Sequence, residues 1–175
     1  MFKRTLAVTA LALTAIAADS AVAQSDPHPS WSVAFGSGFV ADPEGYLMAF
    51  ELERRFASNF AAGALLQLGL EKDDTLVGTH GYARYIFQVG DSGEASGVEP
   101  FLLAGLGFTH LDKDGSGPHR GKNTSFSMIF GGGLDYNFTD TFAIGSKMLV
   151  GVVPAEVLGE SAYFSWEIVR LKVSF

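Results

Sequence analysis

From Ser30 to Phe175 the chain runs in short stretches in which apolar side chains alternate with polar or small ones. Strand geometry sends successive side chains to opposite faces, so each stretch has one oily face and one polar face. The clearest is Tyr46 to Phe56. Tyr46, Met48, Phe50, Leu52 and Phe56 share one side, with Arg54 the sole exception near the end, and Leu47, Ala49, Glu51, Glu53 and Arg55 share the other. Ser30 to Val40 sets Trp31, Val33, Phe35 and Phe39 against Ser32, Ala34, Gly36 and Gly38. Phe60 to Leu70 alternates likewise, and Thr75 to Val89 sets Ala83, Tyr85, Phe87 and Val89 against His80, Tyr82, Arg84 and Gln88. The second half repeats the pattern in Pro100 to Leu111, Thr124 to Tyr136, Phe142 to Val153 and Ser161 to Phe175. Stretches of roughly 9–14 residues have the length that tilted membrane-spanning strands require.

The last stretch changes phase. Phe164, Trp166 and Ile168 share one parity, whereas Leu171, Val173 and Phe175 share the other. One extra residue near Val169, a β-bulge, keeps both sets on one face and turns Glu167, Arg170 and Lys172 inward together. Without a bulge, Glu167 falls near the outer rim. Alternation alone does not separate these readings.

The connections fit an antiparallel meander. Ala57-Ser58-Asn59 and Asn137 to Asp140 read as tight turns, Gly90 to Gly97 as a polar link, and Pro154 to Glu160 as a loop. Asp112 to Asn123 is expected to be the longest loop, its Gly, Pro and charges ruling out a strand. An even number of strands brings both chain ends to the same side.

Composition sharpens this picture. Fifteen Phe and 21 Gly, with no long apolar helix after residue 23, indicate an all-β protein. Upstream, Lys3 and Arg4 precede an apolar run from Thr5 to Ala18, and Ala21-Val22-Ala23 has the small-residue spacing of a cleavage site before Gln24. The run is shorter than the roughly 20 residues of a spanning helix. Residues 1–23 are therefore expected to be a secretory signal and 24–175 the mature domain. There is no Cys, hence no disulfide or thiolate metal site. The net charge of −7 argues against nucleic acid as a partner, since phosphate contacts need clustered Lys and Arg.

Pro100-Phe101-Leu102-Leu103-Ala104-Gly105-Leu106-Gly107-Phe108 and Gly131-Gly132-Gly133-Leu134-Asp135-Tyr136-Asn137-Phe138-Thr139-Asp140 resemble the strand–turn–strand phrases of small OmpA/OmpX-like barrels. The likeness extends over residues 30 to 175. It implies an eight-stranded antiparallel up-and-down transmembrane β-barrel in the bacterial outer membrane, monomeric and without cofactor. Outer-membrane lipid, lipopolysaccharide and the barrel-assembly machinery would be its partners. The closing Phe175 resembles the terminal residue that this machinery reads. The implied role is non-enzymatic, structural or in surface interaction.

Three candidate chemistries stand beside plainer readings. Inward Glu51, Glu53, Asp135 and Glu167 are expected to pair with Arg55, Arg84, Lys147, Arg170 and Lys172, with His80 beside them, as a filled interior. The alternative is a narrow path for ions or small solutes lined by the same residues. A lipid A acyl hydrolase of the small-barrel type carries a His-x-Ser pair on a late outward strand. The corresponding strand here reads Lys147-Met148-Leu149-Val150, and the sequence's His-x-Ser, His28-Pro29-Ser30, lies at the edge of the first strand. His110 is expected at a rim, and no catalytic residue is assigned. Asp112, Asp114 and Ser116 match half of a calcium loop, but the twelfth position is Asn123 and no helices flank it, so ordinary turn chemistry is the reading preferred. Parity alone does not exclude a soluble periplasmic ligand-binding barrel.

Overall fold

The computed structural model describes residues 31–175 except 42–43, 72–73, 88, 90–96, 114–120 and 158–159. The expected signal, residues 1–23, lies outside the described residues, as do His28-Pro29-Ser30. Eight strands follow one another: β1 (Trp31–Ala41), β2 (Gly45–Ala57), β3 (Phe60–Leu70), β4 (Asp74–Ile86), β5 (Gly97–Lys113), β6 (Gly121–Asn137), β7 (Phe142–Val157) and β8 (Glu160–Ser174). Each pairs antiparallel with its neighbours in sequence, and β1 pairs with β8 to close the barrel. Trp31 and Phe175 exchange backbone hydrogen bonds at 3.1 and 2.8 Å, so the seam is sealed to the last residue. Closure matters because hydrocarbon offers an open edge no partner for its N–H and C=O groups. The shortest strands have 11 residues, which at about 3.3 Å per residue and a tilt near 40° rise roughly 28 Å, enough for an apolar band ~25 Å tall.

Two expected loops are shorter than the residue types indicated. The β5–β6 ladder runs on to Asp112↔Lys122 and Lys113↔Gly121, so Asp112, Lys113 and Asn123 are in strands. Likewise Pro154 to Val157 extend β7, and Glu160 already begins β8. Once a long ladder is aligned, each further backbone pair costs little, and that outweighs the weak strand preference of Asp, Lys and Gly. β4 in turn ends at Ile86 instead of Val89, although the Phe87 amide still donates to the Pro100 carbonyl at 2.8 Å.

The bulge in β8 is present. Ser37 faces Val169 and Gly38 faces Glu167 across the seam, while Gly145 faces Arg170 and Lys147 faces Glu167 on the other side. Ile168 is the extra residue, and both it and Val169 project outward, about half exposed. Glu167, Arg170 and Lys172 all point inward and are buried.

Packing is inverted relative to a soluble domain. The outer wall carries Phe35, Phe50, Leu102, Leu106, Phe126, Phe130 and Leu171, all exposed, whereas Glu51, Glu53, Arg84, Asp135, Lys147 and Arg170 of the opposite parity are enclosed. Aromatic pairs brace the wall across strands, as with Phe35 and Phe50 at 5.1 Å between centroids and Phe39 and Trp166 at 5.5 Å. Glycine on inward positions makes room for large side chains. A Cβ on Gly36 would strike the Glu167 carboxylate, and one on Gly151 would strike the Tyr163 ring.

Candidate functional site

The inward side chains form tiers along the barrel axis. Nearest the end that carries the chain termini lies a charged tier: Glu51 and Glu53 from β2, Arg84 from β4, Asp135 from β6, Lys147 from β7, and Glu167, Arg170 and Lys172 from β8. Carboxylates and cations are equal in number, and each is buried. Alternation places them at similar heights on different strands, and the β8 bulge adds Glu167 to the set.

Arg170 is the hub. Its Nε and one terminal nitrogen donate to Glu51 at 3.0 and 3.1 Å, and the other terminal nitrogen donates to both Asp135 oxygens at 2.7 and 2.8 Å. Arg84 donates to Asp135 at 2.6 Å and reaches Glu53 at 3.3 Å, while its guanidinium lies 3.7 Å from the centroid of Phe101. Lys147 bridges Glu51 at 2.5 Å and Glu167 at 2.8 Å, and Lys172 donates to Glu53 at 3.2 Å. The Tyr82 hydroxyl lies 2.9 Å from Glu51 and 3.1 Å from Glu53, sharing one proton between them. Fixed, planar arginine forks suit this arrangement, because every carboxylate taken from water must recover its lost hydrogen bonds. Glu167 is least provided for: Lys147 is near in charge, but the angle does not make a hydrogen bond.

The next tier is neutral. Gln67 donates to Ser165 at 3.0 Å and accepts from Tyr163 at 3.3 Å; Thr109 donates to Ser127 at 2.9 Å, and His80 Nε2 lies 2.8 Å from the same Ser127 oxygen. At the far end Val40, Leu47, Leu76, Leu111 and Val153 come from five strands, are 0–3% exposed and form an apolar tier. Such a sequence of tiers holds the strands together, and among the described residues the far tier is apolar.

Most residues expected in the interior do meet there, with two differences of partner. Arg55 does not join the charged tier; it pairs with Glu99 at 2.8 Å near the chain-end mouth, where both are part-exposed. His80 is enclosed, but by hydroxyls, not by charges. Sequence reasoning misses Glu99 and Phe101, although Phe101 shares the inward parity of Gly105 and Gly107. His110 is outward near the far end, with Nδ1 2.8 Å from Thr124 Oγ1. Of the calcium candidates, Asp112 stands in β5 opposite Lys122, while Asp114 and Ser116 lie outside the described residues.

On the outer wall, a shallow apolar groove of about 330 Å³ lies beside the bulge, between Leu134 and Tyr136 on one side and Ile168 and Val169 on the other, with Ser146 in its lining.

No protein-family model matches the chain, and no curated protein matches it. Among solved structures, the N-terminal β-barrel domain of Pseudomonas aeruginosa OprF is similar at a TM-score of 0.65 and 15% identity, over 85% of this chain and 99% of that one. Neisserial surface protein A (NspA) is similar at 0.61 and 15% identity, over 83% and 94%. The outer membrane enzyme PagL is similar at 0.56 and 15% identity, over 82% and 99%. This chain has the fold of the small eight-stranded outer-membrane β-barrels.

Proposed function

We propose that this protein is an integral barrel of the bacterial outer membrane, exported by an N-terminal signal, with a plugged interior and a non-enzymatic role in envelope structure or surface interaction. One observation carries the reading: charges are enclosed and balanced inside a closed sheet, while Phe and Leu cover its outside. In water that order would be unfavourable on both counts. Exposed apolar area costs roughly 25 cal/mol per Å², and the enclosed ions lose their hydration. In a bilayer the outer wall meets hydrocarbon. Lipid and lipopolysaccharide are then its surroundings, and Phe175 at the sealed seam would be the residue that the assembly machinery reads.

Fractionation followed by gel mobility with and without boiling tests this. A band in the outer membrane that shifts on heating is the expected result. Recovery from the soluble periplasm would reverse the membrane reading.

The likeness to PagL, described as an outer membrane enzyme, keeps an enzymatic role as the second reading, with acyl hydrolysis of lipid A the activity weighed from the sequence. The late outward strand argues against it, since β7 presents Met148 and Val150 where that family has its His-x-Ser. Release of acyl chains from lipopolysaccharide by the purified protein would favour the enzyme.

A further inference from the structure

The extra residue of β8 also shapes the outer wall. In a regular ladder one outward side chain of β8 would stand against Ser146 of β7. Here the register passes from Gly145↔Arg170 to Lys147↔Glu167, and Ile168 and Val169 both project outward in its place. Ser146 is itself smaller than Ile144 and Met148, the outward residues on either side of it in β7. A wide step in β8 beside a small residue in β7 leaves the groove of about 330 Å³, floored by Ser146 and rimmed by Leu134 and Tyr136 across from Ile168 and Val169. Tyr136 is the penultimate residue of β6 and packs edge-on against Phe138 at 4.9 Å. Aromatic rings at strand ends mark the membrane boundary, so the groove runs from that boundary, at the end carrying the chain termini, toward the middle of the wall.

Its polar residues are turned to other work. Ser146 gives its hydroxyl to the Glu167 carbonyl and accepts from the Trp166 indole, and Asp135 points its carboxylate inward to Arg84 and Arg170. Water needs two to four polar partners to settle in a site, and this lining does not provide them. Left empty, the lining would forfeit its dispersion contacts. A second copy docked about a twofold axis through the groove would set concave against concave. Hydrocarbon is the filling that matches the lining and that the surrounding bilayer supplies.

We propose that the groove beside the β8 bulge is a binding site for one acyl chain of a phospholipid, in the leaflet on the side of the chain termini. The chain lies over Ser146 between the two rims and stays there longer than the lipids around it. The site rests on the membrane reading above and deepens it by naming the part of the lipid that is held and the place on the wall that holds it.

The chain has two tryptophans, Trp31 and Trp166, and Trp166 is bonded to the floor of the groove. In a Trp31→Phe background Trp166 is the lone emitter. The barrel is folded into vesicles of phosphatidylcholine brominated along its acyl chains and then moved into unbrominated detergent, where loosely held lipid exchanges away. Quenching of Trp166 is expected to persist after the transfer. Ile144→Phe and Val169→Phe, which narrow the groove from two sides, should each abolish the persistent part, whereas Leu106→Phe on β5 should leave it. Phosphatidylglycerol with the same brominated chains should behave like phosphatidylcholine, since the chain and not the headgroup is held. Full recovery of fluorescence in detergent, or persistence unchanged by both filling variants, overturns the site while leaving the barrel in the bilayer. No quenching even in the vesicles overturns the membrane reading itself. Native mass spectrometry of the wild-type protein, released from the same detergent, should show one retained phospholipid that Ile144→Phe loses; equal retention by the two would sink the proposal.

Discussion

The hydroxyl of Ser146 donates to the main-chain carbonyl of Glu167 at 2.9 Å. Ser146 faces outward from β7, opposite the place where the extra residue of β8 breaks the ladder between Gly145↔Arg170 and Lys147↔Glu167. The bulge turns the Glu167 side chain inward to Lys147, and a side-chain hydroxyl takes the carbonyl that the ladder no longer serves. The Trp166 indole donates to the same Ser146 oxygen at 2.9 Å, so Ser146 both accepts and donates on the apolar outer wall.

Replacing Ser146 with Ala should therefore cost more than a surface hydroxyl does. Leaving a buried acceptor unpaired costs about 1–3 kcal/mol. Urea titration of the barrel folded into vesicles is expected to show a loss in that range, with Ser146→Thr close to wild type. A change within about 0.3 kcal/mol would mean the bulge carbonyl finds another donor.

The charged tier should fail by imbalance rather than by loss of attraction. Arg170→Met takes two hydrogen bonds from each of Glu51 and Asp135 and leaves the tier one positive charge short, and removing one partner of a buried pair costs about 3–5 kcal/mol. The double variant Arg170→Met/Asp135→Asn should be milder than the sum of its parts by about 1–3 kcal/mol. Strict additivity in that cycle would show that the two residues do not share a network.

Gly151 tests the packing of the neutral tier. A methyl there meets the Tyr163 ring, and a β-sheet backbone has little freedom to yield. Gly151→Ala should destabilise the barrel by about 1–3 kcal/mol. Combined with Tyr163→Val it should cost less than the two changes added; an undiminished penalty would place the strain elsewhere.

Planar-bilayer recordings examine the tiers as a plug. Wild type is expected to show little or no steady current, since Val40, Leu47, Leu76, Leu111 and Val153 close the far end with apolar side chains. Leu47→Gly/Leu76→Gly should raise conductance, whereas Glu167→Gln, set deeper in the charged tier, should not. Large ohmic channels from the wild-type protein would refute the plugged interior.

Much of this architecture is legible in the order of residues. The strand positions follow from period-two alternation, and β3 spans Phe60–Leu70 as the alternation predicts. That most of the charges share one face follows too, because a strand has only two faces and one of them is plainly oily. Strand ends are less legible: Asp112 and Lys113 belong to β5 because β6 lies alongside, which no local preference records.

What the sequence determined alone is therefore the number of strands and which side chains share a face within each alternating run. Tertiary structure decided the rest. Two parities do not say which lies inside until β1 meets β8, and two readings of β8 stay equal until its registers with β1 and β7 shift beside Ile168, with room at Gly36 for Glu167. Partnership between Arg55 and Glu99, or between Arg170 and both Glu51 and Asp135, depends on stagger around the closed wall. Alternation is a property of one strand, whereas pairing is a property of the distance between strands, and only closure sets that distance.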